Sequence, residues 1–337
     1  MKRAVLQNDA ALPALAMALE PEIMTRRLAP LVSRLQSRES AGAENWRVVE
    51  IDILKYKPGH RCALGYTLDG PGARQRLFAK AYTSERGQRI EETMGMIAAA
   101  IPREALLIPV PVSYLPDLKL LVTEYLRGIP LSWFLHEERF DIPARRAAFA
   151  IAVLHRCNAP LGRRWTASQE VANTGSWLAR SPAGSLACSG RAEVLLDALR
   201  RGARLLDEAP EKVVHRDFYP EQVWDCKGRT ALLDLDDAQL GDGAVDVGNF
   251  LAHLRLRSLQ FPRLTQDLER MRPVFQEEYA RQQTDHADMK GFSKRVGFYE
   301  AATLLRLSSV YSLRERWAHF LPQALLDSCE AVLDASG

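Results

Sequence analysis

The sequence is poor in cysteine, and no cysteine is placed to build a site. Cys62, Cys157, Cys188, Cys226 and Cys329 are scattered through 337 residues, with no Cys-x-x-Cys pair and no Cys/His ligand spacing. That excludes a zinc module and a disulfide framework, and reduced thiols in a cytoplasmic protein are the expectation. Long apolar runs are missing as well: no stretch approaches the roughly 18 residues of a membrane span. Met1-Lys2-Arg3 opens on basic charge, but Asn8 and Asp9 interrupt the apolar stretch and Glu20 and Glu22 soon follow, which argues against a signal peptide. Charge of one sign is lacking too. A formal net charge of +3 exerts no global pull on nucleic acid or an anionic membrane, so neither is expected as a partner.

What is present is the balance of an ordinary globular protein, 47% hydrophobic and 26% charged, in a chain too long for one small core. Residues 1–44 read as a helical segment, with Leu28, Leu31, Val32 and Leu35 on one face, before a break at Ala41-Gly42-Ala43. Residues 45–126 read as a β-rich lobe. Val49, Ile51 and Ile53 alternate with Glu50 and Asp52, Pro58-Gly59 turns, and Cys62, Leu64, Tyr66 and Leu68 alternate again. A third strand carries Lys80, and a helix over 85–100 places Ile90, Met94, Ile97 and Ala98 on one face. Two short strands, near 112–114 and 118–124, complete this lobe. Residues 127–337 read as mainly helical, with patterns at 190–207, 246–260, 264–282 and 296–333 and one hairpin around Gly228. Ser181 to Gly190 has the composition of a loop.

The informative segment is "VVHRDFYPEQVWDCKGRTALLDLDDAQLGDGAVD", from Val213 to Asp246. An apolar strand ends in His215-Arg216-Asp217, the amide of Gln222 comes five residues after Asp217, and a hairpin delivers Asp234 after Leu232-Leu233. Phosphoryl transfer needs a carboxylate to orient the attacking hydroxyl, hard oxygen ligands for Mg²⁺, and a cation on the nucleotide. Asp217, Gln222, Asp234 and Lys80 supply such a set.

This order of residues resembles the aminoglycoside phosphotransferase family of kinase-like small-molecule kinases. That family's catalytic loop reads roughly H-x-D-x-x-x-x-N, and its metal segment roughly [IL]-D-[WF]-[ED] followed by G-D-P-x-x-D. Here "HRDFYPEQV" and "LLDLDDAQLGDGAVD" stand in those places, Leu154-His155 matches a leucine-histidine pair ending an earlier helix, and Glu124-Tyr125 is similar to the family's acidic, aromatic hinge. The resemblance covers roughly residues 46–250, and the remainder is similar only as a helical substrate lobe. It implies an α+β, protein-kinase-like two-lobed fold, with an N-terminal antiparallel sheet plus helix and a mainly helical C-terminal lobe. It implies ATP and Mg²⁺ as cofactors and a small-molecule hydroxyl as acceptor. Asp217 is then the catalytic base, Asp234 the principal metal ligand, and Gln222 a metal contact where the family has Asn. Lys80 takes the α- and β-phosphates, and the backbone of Glu124, Tyr125 and Leu126 receives the adenine. Gly59, in the single-glycine turn "KPGHR", is the backbone-approach point for phosphate, and Glu91 is the expected ion-pair partner of Lys80.

Other residues read as support. His215 is expected to hold the loop by hydrogen bonding, and Asp246 to serve either as a helix N-cap or as a buried partner of the catalytic loop. Asp236 and Asp237 are not separable by pattern. "VYSLRERWAHF" reads as an amphipathic face, or as a substrate pocket built from Tyr311, Trp317 and Phe320. An aminoglycoside is a polycation that needs an acidic site. Residues 251–337 carry nearly balanced charge, so a sugar or similar metabolite is the preferred acceptor. Two readings compete with a small-molecule kinase. Gln222 motivates a nucleotide-binding pseudokinase, against which the joint presence of Lys80, Asp217 and Asp234 argues. A protein kinase is disfavoured because "LDLDD" replaces Asp-Phe-Gly and Asp246 follows Asp234 too soon for an activation segment. The oligomeric state is not legible.

Overall fold

The computed structural model describes residues 9–35, 46–136, 141–181, 190–206, 208–283, 289 and 291–336. The break expected at Ala41–Ala43, and most of the loop expected between Ser181 and Gly190, lie outside the described residues. The chain divides into two compact units: residues 1–99 with 108–127, and residues 100–107 with 128–337.

The first unit is a five-stranded antiparallel sheet with helices. Its strands are β1 (Arg47–Lys57), β2 (Arg61–Gly70), β3 (Ala73–Tyr82), β4 (Pro111–Leu115) and β5 (Leu120–Glu124), in the order β1-β2-β3-β5-β4. Period-2 alternation sorts the side chains. Leu64, Tyr66, Leu68, Leu77, Ala79, Leu120 and Val122 enter one core with Leu15 and Ala18 of α1 (Leu15–Ala18) and Met24, Leu28 and Val32 of α2 (Pro21–Leu35). The i, i+4, i+8 spacing of those last three makes the stripe that seats α2, at about 1.5–3 kcal/mol for each large side chain buried. Tyr66 finds its hydroxyl partner there, donating to the Ala18 carbonyl at 2.7 Å. Helix α3 (Arg86–Ala100) buries Ile90, Met94 and Ile97, the face read from the sequence.

The second unit contains α4 (Asp141–Arg156), α5 (Ala167–Leu178), α6 (Gly190–Ala203), α7 (Ala244–Gln260), α8 (Thr265–Arg281), α9 (Phe292–Ser312) and α10 (Leu321–Ser336). Among the described residues it also carries six short strands: β6 (Ile129–Pro130), β7 (Arg164–Trp165), β8 (Glu211–Val214), β9 (Val223–Cys226), β10 (Arg229–Leu232) and β11 (Gln239–Asp242). They form two three-stranded sheets, β10-β9-β6 and β7-β11-β8. The crossing of α7 and α9 is so close that a Cβ on Gly248 would lie 2.6 Å from the Glu300 amide nitrogen and 2.8 Å from the Tyr299 Cβ. Arg272 tightens the same junction with two bonds to the buried Glu300, at 2.8 and 3.0 Å.

Two local readings change. The helical pattern over 296–333 is two helices, because turns over 313–320 let α10 fold back beside α9. Strands β7 and β11 escape pattern reading because two to four residues are too short for an alternation to register. No helix among the described residues is long and apolar enough to cross a membrane.

Candidate active site

Strand β8 ends in the buried pair Val213-Val214, and the chain then turns through His215, Arg216 and Asp217. Arg216 takes the left-handed conformation at φ 70°, which a non-glycine residue keeps only when its surroundings hold it. Two contacts do so. Its amide donates to Asp246 Oδ1 at 2.6 Å, and its guanidinium lies 3.3 Å over the Trp165 ring. The His215 amide donates to Asp246 Oδ2 at 2.7 Å, and the same oxygen accepts from His155 Nε2 at 2.9 Å. On the far side of the His155 ring, Nδ1 meets the Tyr279 hydroxyl at 2.8 Å. The His215 ring is oriented by its own bonds. Its Nε2–H donates to the Leu233 carbonyl at 2.8 Å, which leaves Nδ1 to accept the Asp217 amide at 3.3 Å.

Helix α7 serves the loop rung by rung. Asp246, Asn249, His253 and Arg257 lie on one face at spacings of three and four. Asp246 takes the amides of His215 and Arg216, and Asn249 Nδ2 donates to the Phe218 carbonyl at 2.8 Å. His253 stacks on Tyr219 with ring centroids 4.6 Å apart, and Arg257 pairs with Glu221. Beneath this face Phe218 stacks on Phe250 at 5.3 Å, and Phe250 on Phe275 at 4.2 Å, all three fully buried.

Opposite the loop stands Asp234, after β10, also left-handed at φ 60°. Gln222 Nε2 donates to Asp234 Oδ2 at 3.4 Å, and the Leu233 amide donates to the Gln222 carbonyl at 2.9 Å. Burial raises the Asp217 carboxyl above the usual carboxylate range; the Arg306 guanidinium opposes that shift, while the Asp234 carboxylate adds to it. The Asp217 and Asp234 carboxylates thus act on one another, and Gln222 bonds the second of them.

The remaining expected residues belong to the first unit. Lys80 is half-buried on β3 between Ala63 of β2 and Leu121 of β5, with its ammonium 6.0 Å from the Tyr82 ring. Glu91, on α3, accepts the Tyr114 amide at 2.9 Å. Glu124 ends β5 and donates its amide to the Val110 carbonyl at 2.8 Å; Tyr125 lies under the Arg76 guanidinium at 4.4 Å, and Leu126 follows outside regular structure. Gly59 occupies the β1–β2 turn at φ 68°, and its amide donates to Asp9 Oδ2 at 2.9 Å. Tyr56 donates its hydroxyl to the same oxygen at 2.8 Å.

Asn249, Arg306, His253 and the Trp165–Glu170 pair were not anticipated. Arg306 donates to Asn249 Oδ1 at 2.9 Å and lies 3.9 Å from Glu170, whose other oxygen accepts from Trp165 Nε1 at 2.9 Å. The polar stripe on the otherwise apolar α7 was the available signal for two of these. Tyr311 is buried under Arg314, and Trp317 meets Phe261 and Phe320 edge-on. A groove of about 700 Å³ between α5 and α6 is lined by Ser168, Gly175, Glu193 and Arg200 and includes no residue of the 215–222 loop.

The described architecture has counterparts of known structure. The aminoglycoside phosphotransferase APH(4)-Ia is 17% identical, with 92% of this chain and 99% of that one aligned at a TM-score of 0.60. The choline kinase LicA from Streptococcus pneumoniae is 13% identical over 93% and 99% at 0.57, and an ethanolamine kinase from Plasmodium vivax is 10% identical over 94% and 89% at 0.60. At such identities these likenesses show the protein-kinase-like fold. No curated protein sequence matches the chain. The model of the phosphotransferase enzyme family matches residues 69–290, two thirds of the sequence and all of the segment that builds the site. The chain belongs to the phosphotransferase enzyme family and is, accordingly, a small-molecule phosphotransferase.

Proposed function

We propose that the protein transfers the γ-phosphate of Mg²⁺–ATP to a hydroxyl group of a small molecule, with Asp217 as the catalytic base. The observation that carries this reading is the convergence of Asp217, Asp234 and Gln222 beside a loop whose amides are held by a buried carboxylate. A base must bind a proton in the transition state and release it afterwards. The raised proton affinity of Asp217 favours the first, and the Arg306 guanidinium, which opposes that rise, favours the second.

The donor set suits a hard divalent cation. Two carboxylates that repel one another and a nearby amide are the oxygen chemistry Mg²⁺ accepts, and added positive charge relieves the repulsion. Asp234 would be the main ligand and Gln222 the neighbouring one, and the ion would neutralise phosphate charge. In the first unit Lys80 would bind the α- and β-phosphates, with Glu91 as its expected acidic partner. The backbone of Glu124, Tyr125 and Leu126 would take the adenine, and the turn at Gly59, whose amide Asp9 holds, would be the point where backbone approaches phosphate. Structures of APH(4)-Ia with AMP-PNP and hygromycin B, and with ADP and hygromycin B, support a nucleotide and a hydroxyl acceptor as the ligand pair.

The test is transfer of labelled phosphate from Mg²⁺–ATP. Asp217→Asn abolishes turnover and leaves nucleotide affinity near normal, whereas Asp234→Ala removes the Mg²⁺-dependent part of that affinity. Equal loss of turnover and nucleotide binding in Asp217→Asn would overturn the role given to Asp217. A protein that binds Mg²⁺–ATP but transfers phosphate to no acceptor and to no water is the pseudokinase outcome.

A further inference from the structure

We infer that the tip of the β1–β2 hairpin binds nucleotide phosphate through the side chains of Lys57 and Arg61, with Lys55 beside them, and that Asp9 is the positioning residue that sets the tip. The inference rests on the reading of the Lys80 face of the sheet as the nucleotide site.

The tip is a tight turn. The His60 amide donates to the Lys57 carbonyl at 3.0 Å, Pro58 holds the first central position, and Gly59 takes the second at φ 68°. Proline followed by a positive φ is the type II pattern. The turn's own bond leaves the Gly59 amide to find a partner elsewhere, and Asp9 Oδ2 supplies it at 2.9 Å. The same oxygen accepts the Tyr56 hydroxyl at 2.8 Å, while Oδ1 accepts the Ala11 amide at 2.9 Å. These bonds, that of the Gly59 amide foremost and that of Tyr56 next, hold the Asp9 carboxyl below the ordinary carboxylate range. A phosphate oxygen reaching this turn therefore finds the Gly59 amide already taken, and its charge must be met by side chains.

Strand pairing decides which side chains those are. Cys62, Leu64, Ala79 and Ala81 enter the core shared with α1 and α2, so alternation puts Arg61, Ala63 and Lys80 on the opposite face. Directly opposed residues share a face, which brings in Lys57 across from Arg61 and Lys55 across from Ala63. Lys55, Ala63 and Lys80 thus form one row over β1, β2 and β3, and Lys57 and Arg61 form a row nearer the tip. Tyr56, across from Cys62, points to the helical side instead and there meets Asp9. Asp9 grips the tip from behind and leaves the Lys80 face open. The acids of β1 and β2 are engaged elsewhere: Asp52 pairs with Arg76, Asp69 with Arg74, and Glu50 accepts the Thr67 hydroxyl. Like charges directly opposed on a sheet repel, and Lys57 and Arg61 stand so. A polyanion relieves that repulsion, and phosphate oxygens suit ammonium and guanidinium donors.

The experiment is calorimetric titration of the full chain with Mg²⁺–AMP-PNP and with adenosine, which carries no phosphate. Lys57→Ala and Arg61→Ala each weaken AMP-PNP binding by about three- to fivefold and leave adenosine affinity unchanged. The loss shrinks as salt is raised. Asp9→Ala, which removes no side chain from the Lys80 face, gives the same selective loss. Asp9→Asn keeps an acceptor for the Gly59 amide and retains part of the affinity. AMP-PNP and adenosine weakened alike by Asp9→Ala would show a merely structural role and overturn the inference. AMP-PNP binding that is unchanged in the Lys57→Ala/Arg61→Ala double variant, or unchanged or strengthened in Asp9→Ala, overturns it too. A wild-type chain that binds neither ligand, or whose AMP-PNP affinity is indifferent to Lys80→Ala, instead overturns the underlying reading of this face.

Discussion

The amide of His215 and the carboxylate of Asp246, 31 residues apart in sequence, meet in a 2.7 Å hydrogen bond where neither residue is exposed to solvent. The bond is the first rung of a ladder that continues through Asn249, His253 and Arg257 to Phe218, Tyr219 and Glu221. The loop from His215 to Glu221 is held along one face of α7, and the consequences can be measured.

Asp246→Ala strips the acceptor from the amides of His215 and Arg216 and from the ring of His155. Breaking a buried charged network of this kind costs about 3–5 kcal/mol, read as a fall in the urea midpoint with little change in slope. Asp246→Asn keeps one acceptor oxygen and loses less. A midpoint unmoved by Asp246→Ala would show that the loop is held by something else.

Asp217→Asn raises the melting temperature in a pH-dependent manner. A carboxyl whose folded-state pKa is raised above its unfolded value costs stability once it ionises, so the cost is absent below the unfolded value and full above the folded one. The gain from the amide is therefore greatest at neutral and alkaline pH and fades as pH falls toward the ordinary carboxylate value. Melting curves of both proteins from acid to alkaline pH check this, and a gain that grows on acidification contradicts it.

Gly248→Ala forces a methyl group against the α9 backbone at Glu300, which cannot yield as a flexible side chain can. Overpacking of this sort costs about 1–3 kcal/mol. Because α7 carries the ladder, turnover of Gly248→Ala falls even though the substituted residue touches no loop residue. Chemical denaturation and kcat measured on one preparation separate the two effects.

Phe250→Ala opens a cavity between Phe218 and Phe275. The expected loss is about 3–5 kcal/mol, and Phe250→Leu, which refills most of the volume, recovers a large part of it. Equal losses for the two variants would mean that the ring stack itself, rather than filled space, supports the loop.

The sequence displayed local proximity well. His215-Arg216-Asp217, Gln222 and Asp234 lie within one strand-loop-hairpin unit, so short spacing already implied closeness, and the alternation in β1 to β3 placed Lys80 on its strand. Asp246 was ambiguous because a helix N-cap and a loop anchor call for the same residue at the same position. In the structure its carboxylate turns to His215 and Arg216, while Asp242 accepts the Ala244 amide at the start of α7. Arg306 was invisible, since an arginine on an amphipathic helix looks the same whether it faces solvent or a carboxylate 89 residues earlier. Its role depends on the packing of α9 against α7, which no periodicity encodes.

The Asp246 ladder also sets an order of assembly. As the chain emerges from the ribosome, His215, Arg216 and Asp217 appear well before α7, and Tyr279 and Arg306 later still. Until those helices dock, the two loop amides have water for partners and the left-handed turn at Arg216 lacks its restraint. In a nascent or C-terminally truncated chain that ends short of α7, the loop motif is therefore complete while the acceptor for its two amides is absent.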